Sequence, residues 1–488
     1  MRARSLSPIL LACALLACGR PGRDKQEPTP VSAAEVPGSK PRPKPRKAHF
    51  VSLSDLHFDP FADPELVPQL IAAEPQQWRA IFAGAANRSP SGYHHDSNVY
   101  LLDAALKAVA DRITTQGPGK PEFAIISGDF LGHHFREQFD KLAPEDQRGD
   151  EAAYRRFAAK AMAFVTAELA TTFGDLPVFP ALGNNDSFCG DYHLTPGGEF
   201  LSTVAPLWQP LIERKNPAPD FAETFAAGGY YQVPSPSAPG TRIVVLNTNL
   251  FSSHYQNTCA EDDGSGEAIE AQFEWLSGVL AQARNADERV WLVYHVPPGV
   301  DVFATTRATA GECKDKIRSF WKPGPAAAFL HLLDEHADTI AGNFAGHIHT
   351  DDFRLLISEG QPRELIHFTP AISPLFGNNP AFQIFDFESR DGEILDYATW
   401  TLDLTAETPA WTEEYRFSSA YGQDRYDVAH VAAVRQAIHD DAEVRGKYER
   451  FYAAGNPDAG QISDDNWRGY WCGSAAISPD DFARCWCE

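Results

Sequence analysis

The sequence predicts an α/β fold: two sheets packed as a sandwich, flanked by helices, with a helical, disulfide-bearing cap at the C-terminus. Three observations predict it. Short apolar runs end repeatedly in polar or ligand-type residues, helical spacing fills the gaps between them, and a change of pattern sets off the last eighty or so residues.

The runs are AHFVSLSDLH (48–57), EFAIISGD (122–129), LPVFPALGNND (176–186), RIVVLNTN (242–249), RVWLVYH (289–295) and DTIAGNFAGHIH (338–349). Each has a Val-, Ile-, Leu- or Phe-rich core, as expected of strands buried on both faces. Between them, VYLLDAALKAVADRI (99–113) places Leu102, Ala105, Leu106 and Val109 on one helical face. YRRFAAKAMAFVTAELA (154–170), FEWLSGVLAQA (273–283) and PAAAFLHLLDEH (325–336) repeat the pattern. Strand and helix in alternation indicate an α/β sheet. RLLIS, ELIHFT, AFQIFDFE and EILDYATWTLDL then read as a second, more antiparallel sheet packed on the first. WTEEYRFSSAYG and DVAHVAAVRQAI read as helices of the cap, residues 411–488, which closes with an aromatic, Cys-bearing tail.

The N-terminus reads as targeting rather than fold. MRAR is basic, and the apolar stretch after it is too short to span a bilayer. It ends in Leu15-Leu16-Ala17-Cys18-Gly19, which resembles a bacterial lipobox with Cys18 as the lipidated residue. The expected product is an exported lipoprotein of the bacterial cell envelope, periplasmic or outer-membrane-anchored, touching the membrane only through its N-terminal lipid. Residues 19–47 are Pro-rich and polar, the composition of a disordered tether. The main globular domain is then expected over 48–410 and the cap over 411–488.

The formal net charge is −24, and without Arg2 and Arg4 of residues 1–18 it is 40 basic against 66 acidic residues, or −26. Such a surface repels polyanions at long range and argues against nucleic acid as a partner. Six cysteines follow the leader, Cys189, Cys259, Cys313, Cys472, Cys485 and Cys487. An even number in an exported chain favours disulfides. Cys485 and Cys487 stand too close to pair easily with each other, so each is expected to reach a distant partner.

In open α/β sheets, ligands sit beyond the carboxyl ends of the strands. Asp55 and His57 follow the first run, Asp129 the second and Asn184 the third; His295 ends a later run, and His347 and His349 follow the sixth. Singly these are weak signals. Together they offer imidazoles, carboxylates and an amide oxygen, a mixed set that suits zinc, iron or manganese rather than calcium. Alternation within Asp55-x-His57 and His347-x-His349 would put both members of each pair on one side of an extended backbone. Seven ligands exceed the needs of one tetrahedral ion and would serve two, if one carboxylate bridged them.

The blocks DLH, GD, GNND, YHVPP and GHIH occur in the order found in calcineurin-like metallophosphoesterases, and the chain resembles that family. LNTNLF (246–251), QFEWL (272–276), YHVPPG (294–299) and NNPAFQIFDFE resemble its acid sphingomyelinase-like phosphodiesterase branch. The resemblance covers about residues 48–455. It implies two divalent metal ions, zinc first, with Asp55, His57 and His349 on one, Asn184, His295 and His347 on the other, and Asp129 between them. It further implies hydrolysis of a phosphodiester or phosphoanhydride of a small soluble molecule through a metal-bridging hydroxide. Asn185 stands where most members carry a histidine thought to protonate the leaving group. An amide can hydrogen-bond a phosphoryl oxygen but cannot donate a proton at useful pKa. His133 matches a second active-site histidine of the branch and is the expected proton donor or phosphate clamp, with His193 as a possible substitute. Cys259 and Cys313 are expected to pair in loops overhanging the site. Two further readings stand: an endopolyphosphatase, which shares the GNND spelling, and a metal-loaded envelope binding protein without turnover. Composition and motifs leave the oligomeric state open.

Overall fold

The computed structural model describes residues 46–114, 119–256 and 265–488. Cys18, Cys259 and nearly all of the tether lie outside them. Residues 44–488 form one compact unit.

Twelve strands run in chain order: Lys47–Leu53 (β1), Ala124–Ile126 (β2), Val178–Pro180 (β3), Tyr231–Pro234 (β4), Thr241–Val245 (β5), Arg289–Val293 (β6), Ile340–Ala345 (β7), Asp352–Ser358 (β8), Gln361–Phe368 (β9), Ala381–Glu388 (β10), Ile394–Leu402 (β11) and Trp411–Arg416 (β12). They make two six-stranded sheets, ordered β12-β11-β10-β1-β2-β3 and β4-β5-β6-β7-β9-β8.

This partition differs from the expectation of an early parallel sheet and a later antiparallel one. Each sheet draws on both halves. In the first, β1, β2 and β3 are parallel while β10 pairs antiparallel to β1. In the second, β5, β6, β7 and β9 are parallel, and β4 and β8 are antiparallel edges. Periodicity reports that a segment is a buried strand but carries no information about its neighbour, so the mixing was not readable. Two parallel cores therefore aim their carboxyl ends at one rim.

The sheets meet across aromatic rings. Phe50 of β1 lies 4.9 Å from both Trp291 of β6 and Phe385 of β10, and 5.5 Å from Phe344 of β7. Offset and edge-on pairs at such spacings add about 0.5–1.5 kcal/mol each beyond burial. Helices Val99–Thr114 and Glu151–Phe173 pack on each other, Glu199–Ile212 packs on Glu151–Phe173 and on β3 of the first sheet, and Ser265–Asn285 and Pro323–Glu335 pack with strands of the second.

Two boundaries move. Arg46 and Lys47, expected in the tether, belong to the fold: Arg46 donates its backbone N–H to Ser389 and Lys47 opens β1. WTEEYR is not helical: it is the edge strand β12, antiparallel to β11, followed by a short helix Phe417–Tyr421. Trp, Thr and Tyr suit an edge strand with one exposed side, and pairing with β11 overrides its polar composition. The cap proper consists of helices Val428–Asp440, Ala442–Tyr452, Trp467–Gly473 and Pro479–Trp486.

The expected Cys259–Cys313 bridge does not form. Cys313 pairs with Cys487 at a separation of 174 residues, whereas Cys485 finds no distant partner and pairs with Cys472 at a separation of 13. Cys189 is also disulfide-bonded. The bridge to Cys487 fastens the cap to the segment after helix Val302–Arg307, a contact between distant parts of the chain that spacing alone could not reveal.

Candidate metal centre

Where the parallel strands stop, the backbone turns sharply. Asp55, His57, Asp129, His347 and His349 all adopt positive φ, between 41° and 75°. Five such non-glycine residues at one rim is uncommon, and left-handed backbone of this kind concentrates at functional sites. The strands end at Leu53 and Ala345, so the D-x-H and H-x-H pairs sit in tight turns and not on the extended backbone that their alternation suggested.

The turns knit together through the main chain. Asp55 N–H donates to the Gly128 carbonyl, His57 N–H to that of Asp129, and Gly346 N–H to that of His295. Approach is close enough to require glycine in two blocks. A Cβ on Gly183 would collide with the Asp129 carboxylate, and one on Gly346 with the Ser54 hydroxyl.

Side chains then converge. His57 Nε2 lies 3.1 Å from His349 Nε2, 3.4 Å from an Asp129 oxygen and 3.6 Å from an Asp55 oxygen. His349 Nε2 lies 3.2 Å from Asp55. On the other side of Asp129, His295 Nε2 is 3.1 Å from its Oδ2 and 2.9 Å from Asn184 Oδ1. His347 joins through its ring, 5.1 Å from that of His295, while its backbone N–H donates to Asp55. Asp129 thus stands between an Asp55–His57–His349 group and an Asn184–His295–His347 group.

These residues fit divalent cations. His57 Nδ1–H donates to the Leu131 carbonyl at 3.0 Å and His295 Nδ1–H to the Ser127 carbonyl at 2.6 Å. Such bonds fix the tautomer and leave each Nε2 lone pair aimed inward, the arrangement of a metal-ligating imidazole. One Asp55 oxygen is buried without a hydrogen bond. Asp55 and Asp129 are fully buried, and among the described residues neither has a Lys or Arg partner. An ionised carboxylate kept from water calls for a compensating charge or a full set of hydrogen bonds, and a bound cation would supply the charge here. Asp55–His57–Asp129 and His57–His133–His349 each bring three possible donor atoms within 4.8 Å of one another.

The electrostatics report the same demand. Burial pushes both carboxyls up, yet facing imidazoles outweigh it and hold Asp55 and Asp129 well below the ordinary carboxylate range. In return, burial pulls His57 and His295 down, and the carboxylates overcome it, lifting them to about 10 and about 9. Burial takes His347 down to about 3 and lowers His349 as well. In the absence of metal, protonated imidazoles supply the positive charge that the carboxylates require.

The centre opens into a cavity of about 270 Å³. Its wall includes Asp129, His133, Asn184, His347 and His349 beside Phe303 and Phe376, whose rings are exposed. His133 reaches this wall with Nδ1 held 3.1 Å from Asp96, which also accepts its backbone N–H at 2.6 Å. Its ring stacks 4.0 Å from His57. His193 does not line the cavity.

Asn185 departs from the expected catalytic placement. Its backbone N–H and its amide nitrogen donate to the two oxygens of Asp129 at 2.8 and 3.0 Å, and it does not line the cavity. Two residues past Gly183, it meets Asp129 directly, and its amide grips that carboxylate.

Sequence reasoning missed Asp186, Asp96, Asp191 and Tyr192. Asp186 accepts backbone N–H bonds from Gly183, Asp129, Phe130 and Leu131, tying the GNND turn to the GD turn. Its place in the GNND block could have exposed it. The others lie in loops without a motif.

No family model matches the chain. It is similar to acid sphingomyelinase-like phosphodiesterase 3b of Mus musculus, 29% identical over 82% of this chain and 81% of that one. It is similar as well to the cyclic GMP-AMP phosphodiesterase SMPDL3A of the same species, 28% identical over 84% of each. A sphingomyelinase phosphodiesterase C of Dictyostelium discoideum is 27% identical over 76% of this chain and 77% of its own.

Proposed function

The chain is a relative, over most of its length, of the acid sphingomyelinase-like phosphodiesterases, and on that premise we propose that it is a metal-dependent hydrolase of phosphodiester or phosphoanhydride bonds in small soluble molecules. The observation that carries the proposal is the convergence of inward-aimed imidazoles on two buried carboxylates at the floor of an open cavity.

Two divalent cations, zinc first and iron or manganese as alternatives, would be held by Asp55, His57 and His349 on one side and Asn184, His295 and His347 on the other, with Asp129 shared. When bound, such ions supply a water activated at neutral pH and neutralise the charge of the phosphoryl oxygens. They also let a chain of net charge −24 accept an anion, since a local dication outweighs a distant acidic surface. Water's oxygen joins phosphorus as the bond to the leaving oxygen breaks, and the leaving oxygen takes a proton. His133 Nε2–H is the group placed to give it, with the Asp96 carboxylate holding Nδ1–H and fixing the ring. Asn185 holds Asp129 in place.

A long polyphosphate is the weaker reading. Beyond the cluster the cavity wall carries Asp191, Asp301 and Asp352 against the single guanidinium of Arg354. For location we propose an envelope lipoprotein anchored through Cys18, which leaves the domain from Lys47 onward in solution; no helix among the described residues is long and apolar enough to cross a membrane.

The test is release of p-nitrophenol from bis-(p-nitrophenyl) phosphate by the purified chain, before and after chelation and after restoring zinc or manganese. Turnover that is lost to chelator and returns with metal is expected. A protein that binds metal and shows no turnover would be an envelope metal-binding protein instead.

A further inference from the structure

We infer that Asp191 is a positioning residue for the second cation: it fixes which end of the Asn184 amide faces the centre. The inference rests on the two-ion reading above.

An asparagine can ligate a cation through Oδ1 but not through its NH2, so a half-turn of the amide would convert a ligand into a repulsive donor. Nothing in the amide itself prevents that turn. Asn184 Nδ2 donates to Asp191 Oδ1 at 2.7 Å, while Asn184 Oδ1 faces His295 Nε2 at 2.9 Å. An ionised carboxylate accepts only. A flipped amide would set Oδ1 against the Asp191 oxygen and turn NH2 toward His295 and the cation. Both ends would then be mismatched, which locks the oxygen inward.

The turn that carries Asp191 is built to hold it. Gly190 and Tyr192 adopt positive φ, 95° and 58°. Tyr192 N–H donates to the Asn184 carbonyl, the Ser187 hydroxyl donates to the Gly190 carbonyl, and Cys189 N–H donates to the Ser187 hydroxyl. Cys189 is further tied by its disulfide. The next residue after Asp191 reaches the same half of the centre, with the Tyr192 hydroxyl 3.1 Å from His347 Nε2. One short turn thus touches two of the three residues assigned to the second cation. Asp191 is exposed on its outer side, so it does not serve as a buried structural ion.

Equilibrium dialysis of the metal-stripped full-length protein against zinc, with elemental analysis of the retained metal, tests this without relying on turnover. Wild type should bind two ions per chain. Asp191→Ala should bind one ion as tightly as wild type and the other about 10–100-fold less well, the usual cost of losing a group that orients a ligand. Asp191→Asn keeps the volume and the turn but tolerates either amide orientation, and should show a smaller loss in the same site. Asn184→Ala and the Asn184→Ala/Asp191→Ala double variant should bind alike, because Asp191 acts through Asn184. Should both Asp191 variants bind two ions as tightly as wild type, the inference fails and the two-ion reading stands. Should wild type itself bind fewer than two, the two-ion reading fails and takes the inference with it.

Discussion

Asp186→Asn is the most demanding single-atom test of how the centre is built. The fully buried Asp186 carboxylate accepts four backbone N–H bonds: Oδ2 from Asp129 at 3.0 Å and Gly183 at 2.8 Å, Oδ1 from Phe130 at 2.8 Å and Leu131 at 3.1 Å. The amide of asparagine keeps one acceptor oxygen and presents an NH2 to the other two donors. Each buried donor left unmatched costs about 1–3 kcal/mol, so two cost about 2–6 kcal/mol. Part of this is offset. Burial, with the Asp129 charge added, pushes Asp186 up to about 7, and a neutral amide removes that repulsion. The expected net loss is about 2–4 kcal/mol, a fall of roughly 2–4 °C in melting temperature for a domain of this size. Urea unfolding followed by tryptophan fluorescence, on metal-free and metal-loaded protein, reads it. The loss should be larger in the loaded protein, because the freed turn carries Asp129. A change under about 0.5 kcal/mol in both states, the range of ordinary surface substitutions, would refute the view that Asp186 ties the two turns together.

Other outcomes follow from the same geometry. His133→Ala should cut kcat about 10²–10³-fold on esters with poor leaving groups and only a few-fold on p-nitrophenyl esters, whose anions leave without a proton; equal losses on both would remove His133 as the acid. Glu364, buried in β9, is pushed up to about 8 by burial. A carboxyl raised in this way contributes stability below its unfolded pKa of about 4.5 and loses it as pH climbs through about 8. Glu364→Gln should therefore leave stability unchanged at about pH 4 and raise it by a few kcal/mol at about pH 9, read by denaturant midpoints at both pH values. Phe303→Ala and Phe376→Ala, which strip exposed rings from the cavity wall, should raise KM for bis-(p-nitrophenyl) phosphate several-fold with kcat little changed; a fall in kcat alone would place these rings elsewhere in the reaction.

The five blocks that carry the proposed ligands were legible because each joins an apolar strand to residues that strands rarely end in. DLH, GD, GNND, the histidine of YHVPP and GHIH could be found one by one, and their conjunction argued for metal before any fold was known. The long helices were legible for the same reason, since a 3.6-residue apolar repeat is local. The strand character of RLLIS, ELIHFT and AFQIFDFE was local too.

What local pattern cannot carry is partnership. That β10 lies beside β1 while β9 lies beside β7, that WTEEYR is drawn into an edge strand, and that Cys313 reaches Cys487 all depend on surfaces meeting after the chain has turned back many times. The same holds inside the centre. GNND announced ligand chemistry, but the burden of each side chain was decided by neighbours from other strands: Asn184 faces His295 and Asp191, Asn185 grips Asp129, and Asp186 collects four N–H groups from two turns. A sequence lists donors and acceptors, and hydrogen bonds need direction as well as identity, which exists only once the backbone has placed both ends.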